Sequence, residues 1–206
     1  MRRASRDLHG SVPEKSTVAL LLIDVISDFD FPDSDKLLTQ ARAIVPSLAE
    51  LKRRAREAGI PSIYVNDNYG RWTSDFRGQL DHCLSENAKG RSIVSALEPL
   101  ERDYSVLKAK HSGFYGTTLD LVLRYLGAKS LIVTGFTTDI CVLFTANDAY
   151  MREYRLWIPE DCAAAVEPAH HAAAIDYMKR VLDADVRPSA AMDLGVFQQA
   201  SDDQLN

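Results

Sequence analysis

The sequence predicts an α/β fold in which helices cover both faces of a mainly parallel sheet. Short, continuously apolar runs alternate along the chain with segments whose apolar residues recur at helical spacing. Strands buried on both faces are apolar throughout, which is typical of parallel rather than antiparallel sheets. The length of 206 residues favours one domain that is large enough to bury a core and form a pocket.

The first half of the chain predicts two strands separated by a helical region. The strands are 18–24, which ends in a carboxylate, and 60–65. The helical spacing spans 37–58, where Pro46 is expected to kink the helix or begin a second one. Residues 66–90 lack periodicity and are predicted to form a long loop, which in a compact domain is usually functional or disordered.

The second half continues the alternation. The predicted strands are 104–110, 131–135, 156–159 and a short sixth strand at 185–187. The predicted helices are 93–100, 117–126, the segment that follows strand 131–135, and 168–182. We divide the chain into an amino-terminal arm (1–16), a single domain (17–190) and a polar tail (191–206).

Composition and charge exclude several classes of function. A net charge of −5 argues against a nucleic-acid partner, because phosphate neutralisation needs a basic face. The basic cluster at 52–56 lies on a helix that also carries Glu50 and Glu57, which is typical of a solvated face. The dinucleotide-binding glycine fingerprint and the P-loop are both missing after the predicted strands, so we expect no cofactor.

The location predicted from the sequence is the cytoplasm. No apolar run is long enough to span a membrane, so we expect no membrane partner. The amino-terminal arm lacks the apolar segment of a secretory signal and is interpreted as a mobile or subunit-docking arm. The 3 cysteines are too few for a disulfide framework and suit a reducing compartment.

Cys141 is the strongest candidate for a catalytic group. It follows a buried strand and lies in the first turn of the next predicted helix, where backbone N–H groups and the helix dipole favour an anion. Both features stabilise a thiolate, so we expect the pKa of Cys141 to be lowered. The same N–H groups are suited to hold the oxyanion of a tetrahedral intermediate.

Asp24 and Lys108 are the candidate partners of Cys141. Each lies near the carboxyl end of a predicted strand, and such ends converge on one edge of a parallel sheet. Asp24 is suited to accept the thiol proton, and Lys108 to stabilise the thiolate and keep Asp24 ionised. The three groups together indicate acyl transfer to sulfur followed by hydrolysis. Taken singly, an aspartate at a strand end is more often a turn residue, and a lysine there is more often solvated. A lone buried cysteine is more often a small hydrophobic residue than a nucleophile.

Three segments, read together, resemble the isochorismatase-like cysteine hydrolases, which include nicotinamidases, carbamoylsarcosine amidohydrolases and ureidoacrylate hydrolases. LLLIDV (20–25) is similar to the family's first strand with its aspartate. KAKHSGFYGT (108–117) is similar to its lysine segment, in which the lysine stands four residues before the serine and therefore corresponds to Lys108. GFTTDICV (135–142) is similar to its cysteine motif. The resemblance extends from about Thr17 to about Val186.

The resemblance implies a three-layer α/β/α sandwich, Rossmann-like, with a six-stranded sheet in the order 3-2-1-4-5-6. It implies Asp24, Lys108 and Cys141 as a catalytic triad, a cis peptide between Phe136 and Thr137, and an oxyanion hole formed by the N–H groups of Thr137 and Cys141. The implied reaction is hydrolysis of a small amide, ureide or carbamoyl compound through a thioester. A homo-oligomer, dimer or tetramer, is also expected.

The positions at which the sequence differs from the family pattern narrow the expected cofactor and substrate. Ile26 stands where many relatives have glutamine. The loop after the second strand reads DNYGRW (67–72), with only His82 later, whereas metal-binding nicotinamidases carry several histidines in this region. We therefore predict no metal and disfavour a nicotinamidase. Isochorismate-cleaving members do not need the cysteine for vinyl-ether hydrolysis, so Cys141 favours an amide or ureide.

The substrate pocket is less well specified. Phe29 keeps the aromatic residue that usually walls the family's pocket. Tyr69, Arg71 and Trp72 are candidates to line it or to orient an anion, with a surface loop equally compatible. Tyr115 is a further candidate.

Several questions stay open from the sequence. The substrate is not identified, and the participation of His82 and His111 is undecided, with packing favoured for His111. A vinyl-ether hydrolase and a catalytically silent, ligand-binding or assembly-forming member are the alternative functions. A thiol redox protein is disfavoured because no second cysteine lies close to Cys141.

Overall fold

Strands and helices alternate along the chain in the computed structural model, which describes residues 15–73 and 75–202. In chain order they are β1 (Val18–Ile23), α1 (Ser34–Glu57), β2 (Ser62–Asp67), α2 (Phe76–Cys83), α3 (Arg91–Ala96), β3 (Tyr104–Lys108), α4 (Leu119–Leu126), β4 (Ser130–Phe136), a π-helical turn (Thr138–Val142), α5 (Leu143–Tyr150), β5 (Arg155–Trp157), β6 (Ala163–Ala164), α6 (Pro168–Val181) and α7 (Leu194–Asp202). Across the described ranges, every helix is too short or too polar to cross a membrane.

The sheet has six parallel strands, which confirms the predicted fold class. Five of the strands lie in the predicted order β3-β2-β1-β4-β5. The sixth does not follow β5 but bonds to β4. Because β5 pairs only with the first three residues of β4, the carboxyl end of β4 is free to pair with β6.

The predicted strand at 185–187 is therefore wrong. That segment makes one bridge, from Asp185 to Trp157, and does not form a strand. It lies beside β5 at the place where a sixth strand was expected, and Asp185 exchanges backbone hydrogen bonds with Leu156 and Ile158.

The core consists of two layers, one on each face of the sheet. Val18, Leu20 and Leu22 of β1 point into the layer beneath α1 and α3. Ala19, Leu21 and Ile23 point into the layer beneath α4, α5 and α6. The alternation explains why β1 is apolar at every position, since a strand covered on both faces has no solvent-facing side.

Three further segments differ from the sequence-based expectation. Helix α1 runs through Pro46 without ending, because Pro46 is exposed and buried residues on both sides, such as Ala41 and Leu48, hold one continuous helix against the sheet. The predicted loop 66–90 contains α2, which Asp75 caps by accepting a hydrogen bond from the N–H of Gly78 at 2.7 Å. The interval assigned to the tail contains α7, whereas residues 1–14 of the predicted arm lie outside the described ranges.

Gly135 allows β1 and β4 to approach closely just before the cysteine motif. Its φ is +110°, and a Cβ placed on it would lie 2.1 Å from the backbone oxygen of Ile23. A side chain at this position would therefore meet both an unfavourable backbone conformation and a backbone clash.

Substitution of Gly135 by alanine is expected to lower the free energy of unfolding by about 2–5 kcal/mol, the sum of strain at positive φ and overpacking. Gly127→Ala is the matched control, because Gly127 also has positive φ (+82°) but has no atom within 4 Å of the added Cβ. It is expected to cost only about 1 kcal/mol. Urea unfolding followed by circular dichroism measures both, and equal losses would contradict the close approach.

Candidate active site

Four chemically active side chains meet at the carboxyl edge of the sheet. Asp24 follows β1, Asp67 ends β2, Lys108 ends β3, and Cys141 lies in the π-helical turn after β4. Because β3, β2, β1 and β4 are neighbours in that order, the four strand ends lie side by side. The structure thus brings together the predicted residues Asp24, Lys108 and Cys141, and adds Asp67 to them.

Lys108 is the centre of this cluster. Its Nζ lies 2.9 Å from Oδ2 of Asp24, 3.4 Å from Oδ2 of Asp67 and 3.4 Å from Sγ of Cys141. The lysine side chain is fully buried. Burial alone would lower the pKa of the ammonium, but Asp24, Cys141 and Asp67 outweigh it and raise the pKa of Lys108. The lysine is therefore a fixed positive charge at neutral pH.

Asp24 is held by contacts on both oxygens. Oδ1 accepts a hydrogen bond from the backbone N–H of Asp67 at 2.7 Å, and Oδ2 contacts Lys108. The carboxyl group also interacts electrostatically with the thiol of Cys141, and each affects the pKa of the other. Burial raises the pKa of Asp24 above its usual value, against the opposing effect of Lys108. A carboxylate with a raised pKa is a stronger base than an exposed one, which suits it to exchange a proton with the thiol.

The expectation of a lowered thiol pKa at Cys141 is wrong for this arrangement. Burial raises the pKa of Cys141 to about 12, and the adjacent Asp24 adds to the effect while Lys108 opposes it. Cys141 lies in the first turn of the helical segment that continues into α5, as expected, but burial and Asp24 raise its pKa nonetheless. The resting thiol is thus protonated at neutral pH.

The backbone before Cys141 has an unusual conformation. The peptide bond between Phe136 and Thr137 is cis. The carbonyl of Thr137 accepts hydrogen bonds from the N–H groups of Ile140 at 3.2 Å and Val142 at 3.1 Å, which closes the turn around Cys141. Thr137 and Cys141 both line the cavity above the cluster.

A cavity of about 300 Å³ opens over Asp24 and Cys141. Aromatic and apolar side chains form most of its wall, with a few polar groups at its base, which is typical of a small-molecule site. Its lining residues are Asp24, Ser27, Phe29, Phe31, Leu37, Asp67, Tyr69, His111, Phe136, Thr137, Ile140 and Cys141.

The predicted pocket residues fall into three groups. Phe29 and Tyr69 line the cavity. Arg71 lines an adjacent cavity of about 310 Å³ that shares Phe31 and Tyr69 with the first. Trp72 and Tyr115 line neither cavity and are 80% and 68% exposed.

The two histidines whose participation the sequence left open lie in different cavities. His111 lines the cavity, with Nδ1 4.0 Å from Sγ of Cys141 and its ring against Phe144. His82 lies in the adjacent cavity, where Nε2 is 2.9 Å from Oδ2 of Asp28. Over residues 15–73 and 75–202, no group of three or more His, Cys, Asp or Glu side chains is arranged to hold a metal ion.

Sequence reasoning did not assign a role to Asp67. A partial signal was present, since Asp67 lies two residues beyond the predicted second strand (60–65) while Asp24 ends the first, and the ends of neighbouring strands lie close together. Asp67 and Lys108 are direct partners in the register of β2 and β3. The alignment of these two strands therefore places the second carboxylate beside the lysine.

Alkylation of Cys141 by iodoacetamide is expected to rise with pH beyond about 9, with no plateau near neutrality, because only the thiolate reacts. Asp24→Asn removes a negative charge that raises the thiol pKa and should accelerate labelling at fixed pH by about tenfold per unit of pKa. Lys108→Met should slow it. Mass spectrometry of the labelled peptide measures the rates. A plateau near pH 7 in the wild type, or the same direction of change in both variants, would contradict the assigned electrostatics.

Comparison with known proteins identifies the family. Residues 18–187 match the Isochorismatase domain. The uncharacterized isochorismatase family protein YaaI of Bacillus subtilis is 41% identical over 172 residues, covering 84% of this chain and 94% of that protein. A probable inactive nicotinamidase of Arabidopsis thaliana, At3g16190, is 30% identical over 173 residues, covering 79% of this chain and 88% of its own. The crystal structure of N-carbamoylsarcosine amidase from Thermoplasma acidophilum superimposes with a TM-score of 0.64 at 29% identity, covering 86% of this chain and 99% of the other. The chain therefore belongs to the isochorismatase family.

Proposed function

We propose that the protein is a cysteine-dependent hydrolase that cleaves a C–N bond of a small amide, ureide or carbamoyl compound. Amidases among its relatives support a hydrolase of amide bonds in general. The observation that carries the finer proposal is the contact of one buried ammonium, that of Lys108, with both the carboxylate of Asp24 and the sulfur of Cys141. A nucleophile and a base that line a small cavity, with a fixed cation in contact with both, are the parts that acyl transfer needs.

In the first half-reaction, Asp24 takes the thiol proton while Sγ of Cys141 forms a bond to the substrate carbonyl carbon. The carbonyl oxygen becomes an oxyanion, and the N–H groups of Thr137 and Cys141 are proposed to stabilise it. Collapse of the tetrahedral intermediate breaks the C–N bond, and Asp24 returns the proton to the leaving nitrogen. The acyl group is then held on Cys141 as a thioester.

In the second half-reaction, water attacks the thioester carbonyl and Asp24 accepts one of its protons. The C–S bond breaks, the acid product leaves, and the proton returns to the sulfur. Lys108 keeps its charge throughout and stabilises each anion that forms on Asp24 or on the sulfur. The neutral resting thiol suits this scheme, because proton transfer to Asp24 accompanies attack rather than preceding it.

A catalytically silent, ligand-binding member is the second candidate. The relative named as a probable inactive nicotinamidase favours it. Against it, this chain retains an aspartate and a cysteine that both contact one buried lysine. The predicted homo-oligomeric state and cytoplasmic location remain proposals.

Cys141→Ala is expected to lower turnover at least about 10³-fold, because no other group would accept the acyl chain. A screen of small amides, ureides and carbamates for ammonia release finds the substrate and measures the loss. Cys83→Ala is the control, since Cys83 is buried outside the cavity and its loss should leave turnover within about twofold.

Circular dichroism tests whether both variants fold. Turnover of an amide that survives in a folded Cys141→Ala protein would remove the thioester from the mechanism. Wild-type protein that binds but never cleaves any compound of the screen would favour the silent alternative.

A further inference from the structure

Two adjacent histidines at the start of α6 face the turn that carries Cys141, and the mechanism above uses neither. Nδ1 of His171 lies 2.9 Å from Oγ1 of Thr138, the first residue of the π-helical turn. Nδ1 of His170 lies 3.6 Å from Oδ2 of Asp139, and its side chain is 61% exposed. His171 is partly buried.

Thr138 is fully buried, so its hydroxyl group needs a partner within the protein. His171 supplies that partner. The neighbouring polar atoms are different: Oγ1 of Thr137 and Oδ1 of Asp139 are buried and have no hydrogen-bond partner in the described part of the chain. The bond between Thr138 and His171 is thus the short side-chain link that ties this face of the turn to α6.

The turn itself behaves as one unit because the carbonyl of Thr137 accepts hydrogen bonds from Ile140 and Val142. A shift of Thr138 would therefore move the N–H of Thr137 on one side and that of Cys141 on the other. These are the two groups proposed to hold the oxyanion, and displacements of about 1 Å at such positions can cost about 10²-fold in rate.

We propose that His171 is a positioning residue that accepts a hydrogen bond from the Thr138 hydroxyl and thereby fixes the oxyanion-binding turn. This proposal rests on the function proposed above. It assigns to His171 the neutral form with its proton on Nε2, which leaves Nδ1 free to accept.

The surroundings of His171 support the neutral form. Burial lowers the pKa of His171, although Glu160 and Asp139 act in the opposite direction. On the same helix, His170 is the preceding residue. The backbone carbonyl of Glu167 accepts a hydrogen bond from the backbone N–H of His171 at 3.2 Å. The carboxylate of Glu167 accepts a hydrogen bond from Lys36 at 2.9 Å. Protonation at low pH would turn Nδ1 into a donor and reverse the bond to Thr138.

The activity test compares three variants on a substrate found by the screen. His171→Ala should lower kcat about tenfold or more with KM within about twofold, because the turn acts on the transition state. His171→Asn places an acceptor oxygen near the position of Nδ1 and should restore most of kcat. His170→Ala, the neighbour on the same helix, should stay within about twofold. A His171→Ala protein with wild-type kcat would overturn the proposal.

A double-mutant cycle with Thr138→Val tests the bond itself. If His171 acts through this hydroxyl, the double variant should be no slower than the slower single variant, whereas independent roles would multiply the two losses and overturn the proposal.

Hydrogen exchange gives a readout that needs no activity and so separates this proposal from the proposed function. The amides of Ile140 and Val142, which donate to the carbonyl of Thr137, should lose protection in His171→Ala and keep it in His171→Asn and His170→Ala. Unchanged exchange in His171→Ala would overturn the positioning role. If the wild-type protein hydrolyses no compound of the screen but His171→Ala still loses protection, the positioning role of His171 stands. Only the proposed hydrolase activity is then contradicted.

Discussion

The buried ammonium of Lys108 is the interaction on which the rest of the site depends. An unpaired charge in the interior costs several kcal/mol, and attraction to an opposite charge offsets this only when the geometry is good. Here two carboxylates, Asp24 and Asp67, face the ammonium at 2.9 and 3.4 Å. The fully buried ammonium would be unstable in this place without the carboxylates. The fold must therefore hold the two carboxylates next to the lysine, whatever reaction the site carries out.

The order of the strands places this cluster beside the cavity. β1 lies between β2 and β4, so the carboxylate after β1 is adjacent both to Asp67 and to the turn that carries Cys141. The backbone at Asp24 has φ +52°, a conformation uncommon for a residue with a side chain, and its N–H donates to the carbonyl of Val65 at 3.0 Å. β1 thus ends in a bend directly at the cavity, and the neighbouring strand holds that bend through its backbone. Such local strain is typical of functional positions that the surrounding structure holds in place.

The sequence predicted most of the fold, because its main signal was strong. Apolar runs such as 18–23 and 130–136 have no reasonable place except a sheet covered on both faces, and helices α4 and α6 lie within a few residues of their predicted limits. Short elements were harder. β6 has two residues, Ala163 and Ala164, and neither alanine carries a strand signal; they pair because β5 leaves the end of β4 uncovered.

Side chains whose role depends on distant neighbours were also missed. Lys52 belongs to a basic cluster that reads as a solvated face, yet it is buried against Asp103 at 3.6 Å and the carbonyl of Glu98 at 2.5 Å. The thiol pKa of Cys141 depends on the Asp24 carboxylate and on burial, neither of which a motif of consecutive residues contains. His171 lies 33 residues beyond Thr138, which it contacts. In each case the sequence identifies the residue type, and only the packing decides what that residue meets.

The position of the three cysteines bears on the choice between hydrolysis and thiol redox chemistry. A redox cysteine needs a resolving partner within reach, together with a thiolate that forms readily. Cys141 packs against the core layer beneath α4, α5 and α6, whereas Cys83 and Cys162 are buried in the layer on the other face of the sheet. The sheet therefore separates Cys141 from both other thiols, and the pKa of Cys141 is raised rather than lowered. A thiol that is protonated at rest, beside a carboxylate that can take its proton, is matched to a substrate whose carbonyl drives the transfer. The electrostatics of the cluster thus favour acyl transfer on the same grounds that disfavour disulfide exchange.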